Sequence, residues 1–325
     1  MNILFIDSVG ETPFLKPVVK IRLPVSRLSV ILVLLLPAGC ASPLAYQKPV
    51  INFQKASAIV VENARNEYKC ANKSERDIEI DSRADKRQRI DAGILDSGEL
   101  VLYSAEALAA RMAALDAISK HGQMLLALAQ SDAPDKARNA AVALESSLSR
   151  LGKSMGMEGS NEFNSKAEGF VTLGGEIVRL VLSSRATDAL DKAIIASDAY
   201  IKPLVALLRD EYELNAERRR GRLSKSRVMA IDAYNDLLSK KPVSAEKLKI
   251  AAEQIKFAQD AWENFALLQS AEIEGFSAMI KAHQELVDYA KSPKAPRDFS
   301  ALVDATESFA ADAQAVAEAI RKFSR

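Results

Sequence analysis

Few residues in this sequence could perform chemistry, and their spacing does not bring them together. The chain holds two cysteines, Cys40 and Cys70, and two histidines, His121 and His283. Neither histidine lies in an H-E-x-x-H pair and there is no cysteine cluster, so a zinc site would need ligands from unrelated places. His283 falls on an apolar helical seam. It reads as a hydrogen-bonded residue at a helix interface, with pH-sensitive packing as the alternative. No G-x-S-x-G elbow, P-loop or G-x-G-x-x-G is present. Carboxylate pairs such as Glu272 and Glu274 occur on any charged helix and mark no acid–base site. The sequence therefore assigns no catalytic residue, no metal and no cofactor, and an enzyme ranks third among the functional readings.

Two further stretches could act by binding. "ERRRGRLSKSR" at 217–227 places Arg218, Arg219, Arg220, Arg222, Lys225 and Arg227 within ten positions. The apolar seam before it, Ile201, Val205, Leu208 and Tyr212, fades here and resumes at Val228. That combination reads as a solvated tip with a bend at Gly221, or as a contact for phosphate headgroups or an acidic protein. "EGFVTLGGEIVRLVLSS" at 168–184 is the most apolar internal segment. Gly169, Gly174 and Gly175 would permit close helix approach. Glu176 and Arg179 interrupt it and it is short of a full bilayer span, so it reads as a buried central helix, or as an insertion element of a membrane-active protein.

Cys40 has a more specific setting. Lys16, Lys20, Arg22 and Arg27 precede the apolar run L-S-V-I-L-V-L-L-L at 28–36, and Pro37, Ala38 and Gly39 follow it. A positive region, a short apolar core and small residues make a secretory signal, too short to span a bilayer as a helix. Closed by Cys40, this stretch resembles the lipobox of bacterial lipoproteins. The resemblance implies that the Cys40 thiol is diacylated, that residues 1–39 are removed, and that the new N-terminus is acylated. Ala41 and Ser42 rather than Asp follow the cysteine, which by the same resemblance favours the outer membrane, with the body facing the periplasm. Each buried CH₂ contributes ~0.8 kcal/mol, so two or three chains on one residue would anchor the protein firmly.

With Cys40 lipidated, Cys70 has no intramolecular partner. It reads as a half-buried helix residue or a free thiol. The full chain carries 44 Lys+Arg against 43 Asp+Glu, a net charge of +1, and the leader takes away four basic and two acidic residues. A body near neutrality gives no global field for nucleic acid.

The elements that would carry these residues are helices. Ala, Leu, Glu, Lys, Arg and Gln dominate, and no strand alternation is sustained. Residues 40–52, with Pro43 and Pro49, read as a lipid-anchored tether, and 53–325 as the helical body. A helix over 54–72 is followed by a polar stretch, 73–89, that is either an exposed helix or an irregular loop. Helices are expected over 100–130, from Asp132 to about Gly152, over 164–184, and from Thr187 towards Lys240. Ser244 caps a helix reaching Ala290. Its seam runs Leu248, Ala251, Ile255, Ala258, Trp262, Phe265, Gln269, Glu272, Phe276, Met279, His283, Leu286 and Ala290. After Pro293 and Pro296, with Asp298 as the cap candidate, a final helix carries Phe299, Leu302, Thr306, Phe309, Ala313, Val316, Ile320 and Phe323. Alternating steps of three and four in both make a coiled-coil-like hairpin.

The expectation is an all-α, elongated bundle of about six to eight long helices. Its function would be that of a membrane-anchored periplasmic scaffold or binding lipoprotein, held through lipid on Cys40 and engaging a protein partner of the cell envelope.

Overall fold

The computed structural model describes residues 43–96, 100–130, 134–157, 161–184, 186–240, 242 and 244–323. The described residues hold eight helices and no strand: α1 (Pro43–Asp85), α2 (Ala92–Asp96), α3 (Ala105–Ala129), α4 (Pro134–Met157), α5 (Asn161–Ser183), α6 (Ala186–Ser239), α7 (Ala245–Lys291) and α8 (Pro296–Phe323). They build an elongated all-α bundle.

Three helices are far longer than the rest. α1 has 43 residues, α6 54 and α7 47, or roughly 65, 80 and 70 Å at 1.5 Å per residue. α3, α4 and α5 have 23 to 25. α3, α4, α5 and α8 pack with one end of the long ones and enclose the main core there. Phe53, Leu115, Ile118, Leu125, Leu144, Ile194, Phe276 and Phe309 lie at its centre. Beyond them only α1, α6 and α7 continue, around a small second cluster of Ala216, Leu223 and Phe265 edged by Ile78 and Trp262.

The seams read from sequence become buried faces. On α7 every seam residue from Phe265 to Ala290 is buried, and on α8 Leu302, Thr306, Phe309 and Ala313 are. Trp262, on the same seam, is only half-buried. Thr306 is tolerated because its hydroxyl donates to the Leu302 carbonyl at 2.9 Å. The Ser244 hydroxyl accepts from Lys247 N–H and caps α7 as expected. α8 starts two residues before the expected cap. Asp298 sits in its first turn, and its carboxylate accepts the Ala295 N–H at 3.2 Å.

Several expectations change. Residues 43–52 are no tether: they are the first turns of α1, with Tyr46 and Val50 in the core. Tyr46 donates to Asp191 at the start of α6, and Lys294 bonds both Tyr46 Oη at 2.8 Å and Asp191 at 3.1 Å. Lys294, at a left-handed φ of 63°, also donates to the Tyr289 carbonyl. The turn between α7 and α8 is thereby tied to the N-terminal ends of α1 and α6. The polar stretch 73–89 continues α1 to Asp85, where Arg87 turns left-handed at φ 52° and Gln88 N–H closes on the Arg83 carbonyl. α6 runs unbroken through Gly221, so the expected bend there is absent. It also passes Pro203, which lies on an exposed face where water can satisfy the freed carbonyl.

Candidate functional site

Cys40, the lipidation residue implied by the leader, lies outside the described residues. Cys70 is exposed on α1 rather than half-buried. The remaining candidate features fall into two buried polar clusters and one projecting surface.

In the first cluster, α3 and α7 bring His121 and His283 together at zero exposure, with ring centroids 5.3 Å apart and planes at 77°. Phe53 of α1 packs on both rings, at 6.2 and 6.0 Å. His121 Nδ1 meets the Tyr200 hydroxyl at 3.2 Å, while His121 Nε2 and both His283 nitrogens have no hydrogen-bond partner. Asp198 stands 3.8 Å from His283 and is paired with Lys202 at 2.9 Å. Burial, then the neighbouring His283, holds His121 well below its ordinary range. Burial pushes His283 down to about 4, with Asp198 opposing and Lys202 adding to the shift. Both imidazoles are therefore neutral near pH 7. Among the described residues no group of three or more metal-ligating side chains converges.

The second cluster joins α1, α3, α6 and α7 at the base of the projecting part. Glu272, on the α7 seam, is buried with Oε2 unpartnered. Burial raises its carboxyl to about 7, against the opposing hydrogen bond from Tyr212 and the charge of Arg219. Nearby, Arg111 forks onto Glu211, its Nε 3.0 Å from both carboxylate oxygens, and lies over the Tyr103 ring. Asn72 clamps the backbone of Tyr103 through two bonds of 2.9 Å. A cavity of about 10 Å³ lies among Tyr68, Tyr103, Tyr212, Asn215 and Arg219, room for roughly one water molecule.

This cluster absorbs much of the basic segment. Arg219 pairs with Glu67 and stacks over Phe265, its guanidinium 4.8 Å from the ring centroid. Burial brings its pKa down to about 10. Arg222 pairs with Glu75. Arg220 donates to Gln269 at 3.0 Å, and Arg227 covers the Trp262 ring while reaching Gln259. Arg218, Arg220, Arg222 and Lys225 are exposed, and Arg219 and Arg227 are half-buried. The seam does not fade here: Tyr212, Ala216, Arg219 and Leu223 continue it in steps of four, three and four, and all but Arg219 are buried. The segment is the middle of a three-helix packing, not a solvated tip. Arginine can hold a seam position because its aliphatic stem packs while the head finds a carboxylate. The spacing carried that signal.

The apolar segment 168–184 forms most of α5. It is an edge helix packed on α4 and α6, not a central one. Phe170 and Ile177 are buried, whereas Leu182 is 49 % exposed. Of its glycines, Gly174 alone enables a close approach: a Cβ there would lie 3.3 Å from Glu145 Cα. No described helix is long and apolar enough to cross a membrane.

The projecting surface was not read from the sequence. Past the end of α1, the C-terminal part of α6 and the N-terminal part of α7 continue as a two-helix hairpin. Where this hairpin leaves α1, one face carries a groove of about 520 Å³ lined by Met229, Ala230, Ala233, Ile250 and Phe257, with Asp81 and Ala84 from the end of α1 and Glu253 of α7 completing it. A second, of about 370 Å³, continues towards the tip between Leu237, Lys240, Lys247 and Ile250. Ile250 is 56 % and Phe257 76 % exposed. Both sit off the seam, seven residues apart, a heptad spacing that could have revealed a second stripe. No protein-family model, no curated protein and no solved structure matches the chain.

Proposed function

We propose that this protein is a membrane-anchored helical lipoprotein that acts as a non-enzymatic scaffold of the bacterial cell envelope, presenting its α6–α7 hairpin to a protein partner. The observation that carries the reading is the apolar face of that hairpin, exposed at Ile250 and Phe257 where the core has ended. Ile250 and Phe257 stand exposed a heptad apart on the same helix, and apolar side chains grouped in this way on an ordered element are a feature of interaction surfaces. The anchor comes from the leader. Cys40 precedes Pro43 by three residues, so a lipid on its thiol lies within about 11 Å of the first turn of α1. α6 starts beside that turn and ends at the hairpin, a span of roughly 80 Å over its 54 residues. A rigid helix pair would thus hold the apolar face far from the lipid, in the aqueous periplasm.

Two measurements test this. Fatty-acid labelling with membrane fractionation should mark the wild type and fail with Cys40→Ala, which should leave the membrane or persist as precursor. A photo-crosslinker at Phe257 should capture protein in native envelopes, whereas one at exposed Leu182 of α5 should not. An unlabelled wild type would end the anchor, and equal capture from both positions would end the role of the hairpin.

A further inference from the structure

The trough between α6 and α7 that holds α1 does not stop where α1 stops. In its lower part Ile78 of α1 packs on Ala216 and Leu223 of α6 and Phe265 of α7. Glu67 and Glu75 of α1 pair in order with Arg219 and Arg222, so α1 lies parallel to α6 there. Asp81 and Ala84, in the last turn of α1, then form one end of the open groove. Beyond them its walls are two stripes at helical spacing: Met229, Ala233 and Leu237 on α6, and Phe257, Gln254 and Ile250 on α7. Residues three and four apart share one face of a helix. Two such stripes on paired helices make a trough that runs along both, the shape that receives a third helix, as its lower part receives α1.

The chain's own next segment is drawn away from this seat. Arg87 turns left-handed and Gln88 N–H closes on the Arg83 carbonyl. Asn72 then holds the Tyr103 backbone beside α1, roughly 20 Å back from Asp85. We infer that the open part of the trough takes an amphipathic helix of a different envelope protein, which continues the line of α1 with its N-terminal end towards Asp81 and its C-terminal end towards the hairpin tip. The inference rests on the reading of the hairpin as a docking surface and adds the form and direction of what docks.

Charge sets the direction. A helix carries partial positive charge at its N-terminus and partial negative charge at its C-terminus. At the α1 end of the trough stand the C-terminus of α1, Asp81 and Glu253, all negative. Towards the tip Lys240 and Lys247 outweigh Asp236. A helix parallel to α1 meets opposite charge at both ends, whereas the reverse orientation sets its C-terminus against that of α1 and two carboxylates. Phe257, Met229 and Ile250 supply the apolar contact, and Gln254, which lines both halves of the groove, offers an amide at its middle. From Phe257 to Lys247 the trough follows α7 for roughly 15 Å, about three turns of helix.

The test places a photo-crosslinking residue at Phe257 in one variant and at Leu237 in another, each in the full-length protein in native envelopes, and maps the linked residues by mass spectrometry. Both positions should mark one segment of one protein. The residue linked from Phe257 should lie about seven to eleven positions nearer that segment's N-terminus than the residue linked from Leu237. A synthetic peptide of the segment should bind the purified protein and gain helical circular dichroism on binding. Ile250→Glu should weaken that peptide by about tenfold or more, and Lys247→Glu by about threefold or more. Both positions are exposed, and thermal melts check that each variant folds. Links in the reverse order overturn the proposal, as do links to a second copy of this chain or to lipid, a peptide that binds without becoming helical, and binding indifferent to Ile250→Glu. Links scattered over several segments of a partner end the helix mode and leave the scaffold reading standing. If neither position captures protein, both fail.

Discussion

His121 of α3 and His283 of α7 meet edge to face inside the main core, ring centroids 5.3 Å apart, with no solvent exposure at either ring. Phe53 of α1 and Tyr200 of α6 complete the contact, so four helices converge on two imidazoles. The pair is held neutral by burial, and that makes it a weak point in acid.

The two histidines are the only ones in the chain, so their ring resonances are assignable by elimination. In the folded protein neither should titrate between pH 8 and pH 5.5, because both folded pKa values lie below the ordinary 6.5. A depressed pKa stabilises fully above the unfolded value. That stability is lost as pH falls from 6.5 towards the folded value of about 4 for His283. Urea melts should show this loss. A histidine titrating near 6.5 in the folded protein would contradict it.

Glu272 should impose the opposite slope over much the same window. Its folded pKa of about 7 lies above the ordinary 4.5. Its contribution is therefore present below 4.5 and lost as pH rises through 7, by up to ~3 kcal/mol. Glu272→Gln keeps a neutral, hydrogen-bonding side chain. It should match the wild type near pH 4.5 and exceed its stability at pH 8. Equal stability of the two at both pH values would refute the buried carboxyl.

Neighbouring arginines should differ sharply in worth. Arg219→Gln strands Glu67 beside Phe265 and should cost ~2–4 kcal/mol, the penalty of breaking a largely desolvated pair. Arg218→Gln, on the exposed side of the same turn, should stay within ~0.5 kcal/mol. Thermal melts compare them directly. Similar small losses would return the basic segment to solvent.

Glycines in continuous helices should respond with opposite signs. A Cβ at Gly221 would meet nothing within 4 Å, so Gly221→Ala should gain ~0.5–1 kcal/mol from helix propensity. At Gly174 a Cβ would lie 3.3 Å from Glu145 Cα and 3.4 Å from Leu148 Cδ1. Gly174→Val should push α5 off α4 and cost ~1–3 kcal/mol. A stabilising Gly174→Val would mean that the two helices are not tightly packed.

Helix content and the faces to be buried were legible in the sequence, because a seam with steps of three and four is a local property of the chain. Phe265 to Ala290, Leu302 to Ala313 and the Ser244 cap were all readable this way. The leader around Cys40 is equally local and speaks for anchoring, a question the fold does not address. The tertiary structure decided the partners. Tyr46 with Asp191 and Lys294, Arg219 with Glu67, and His121 with His283 join residues far apart in the chain. Nothing in their local spacing encodes such a meeting. The basic segment misled because arginine has two characters: its charge reads as solvated, while its stem occupies a seam. Residues 43–52 misled because two prolines outweighed Tyr46 and Val50, whose burial depends on α7 and α8 being there to receive them. The heptad spacing of Ile250 and Phe257 is a sequence feature, but their exposure became visible only once α1 was seen to end beside them. Whether an apolar face is core or surface depends on how far its neighbours reach.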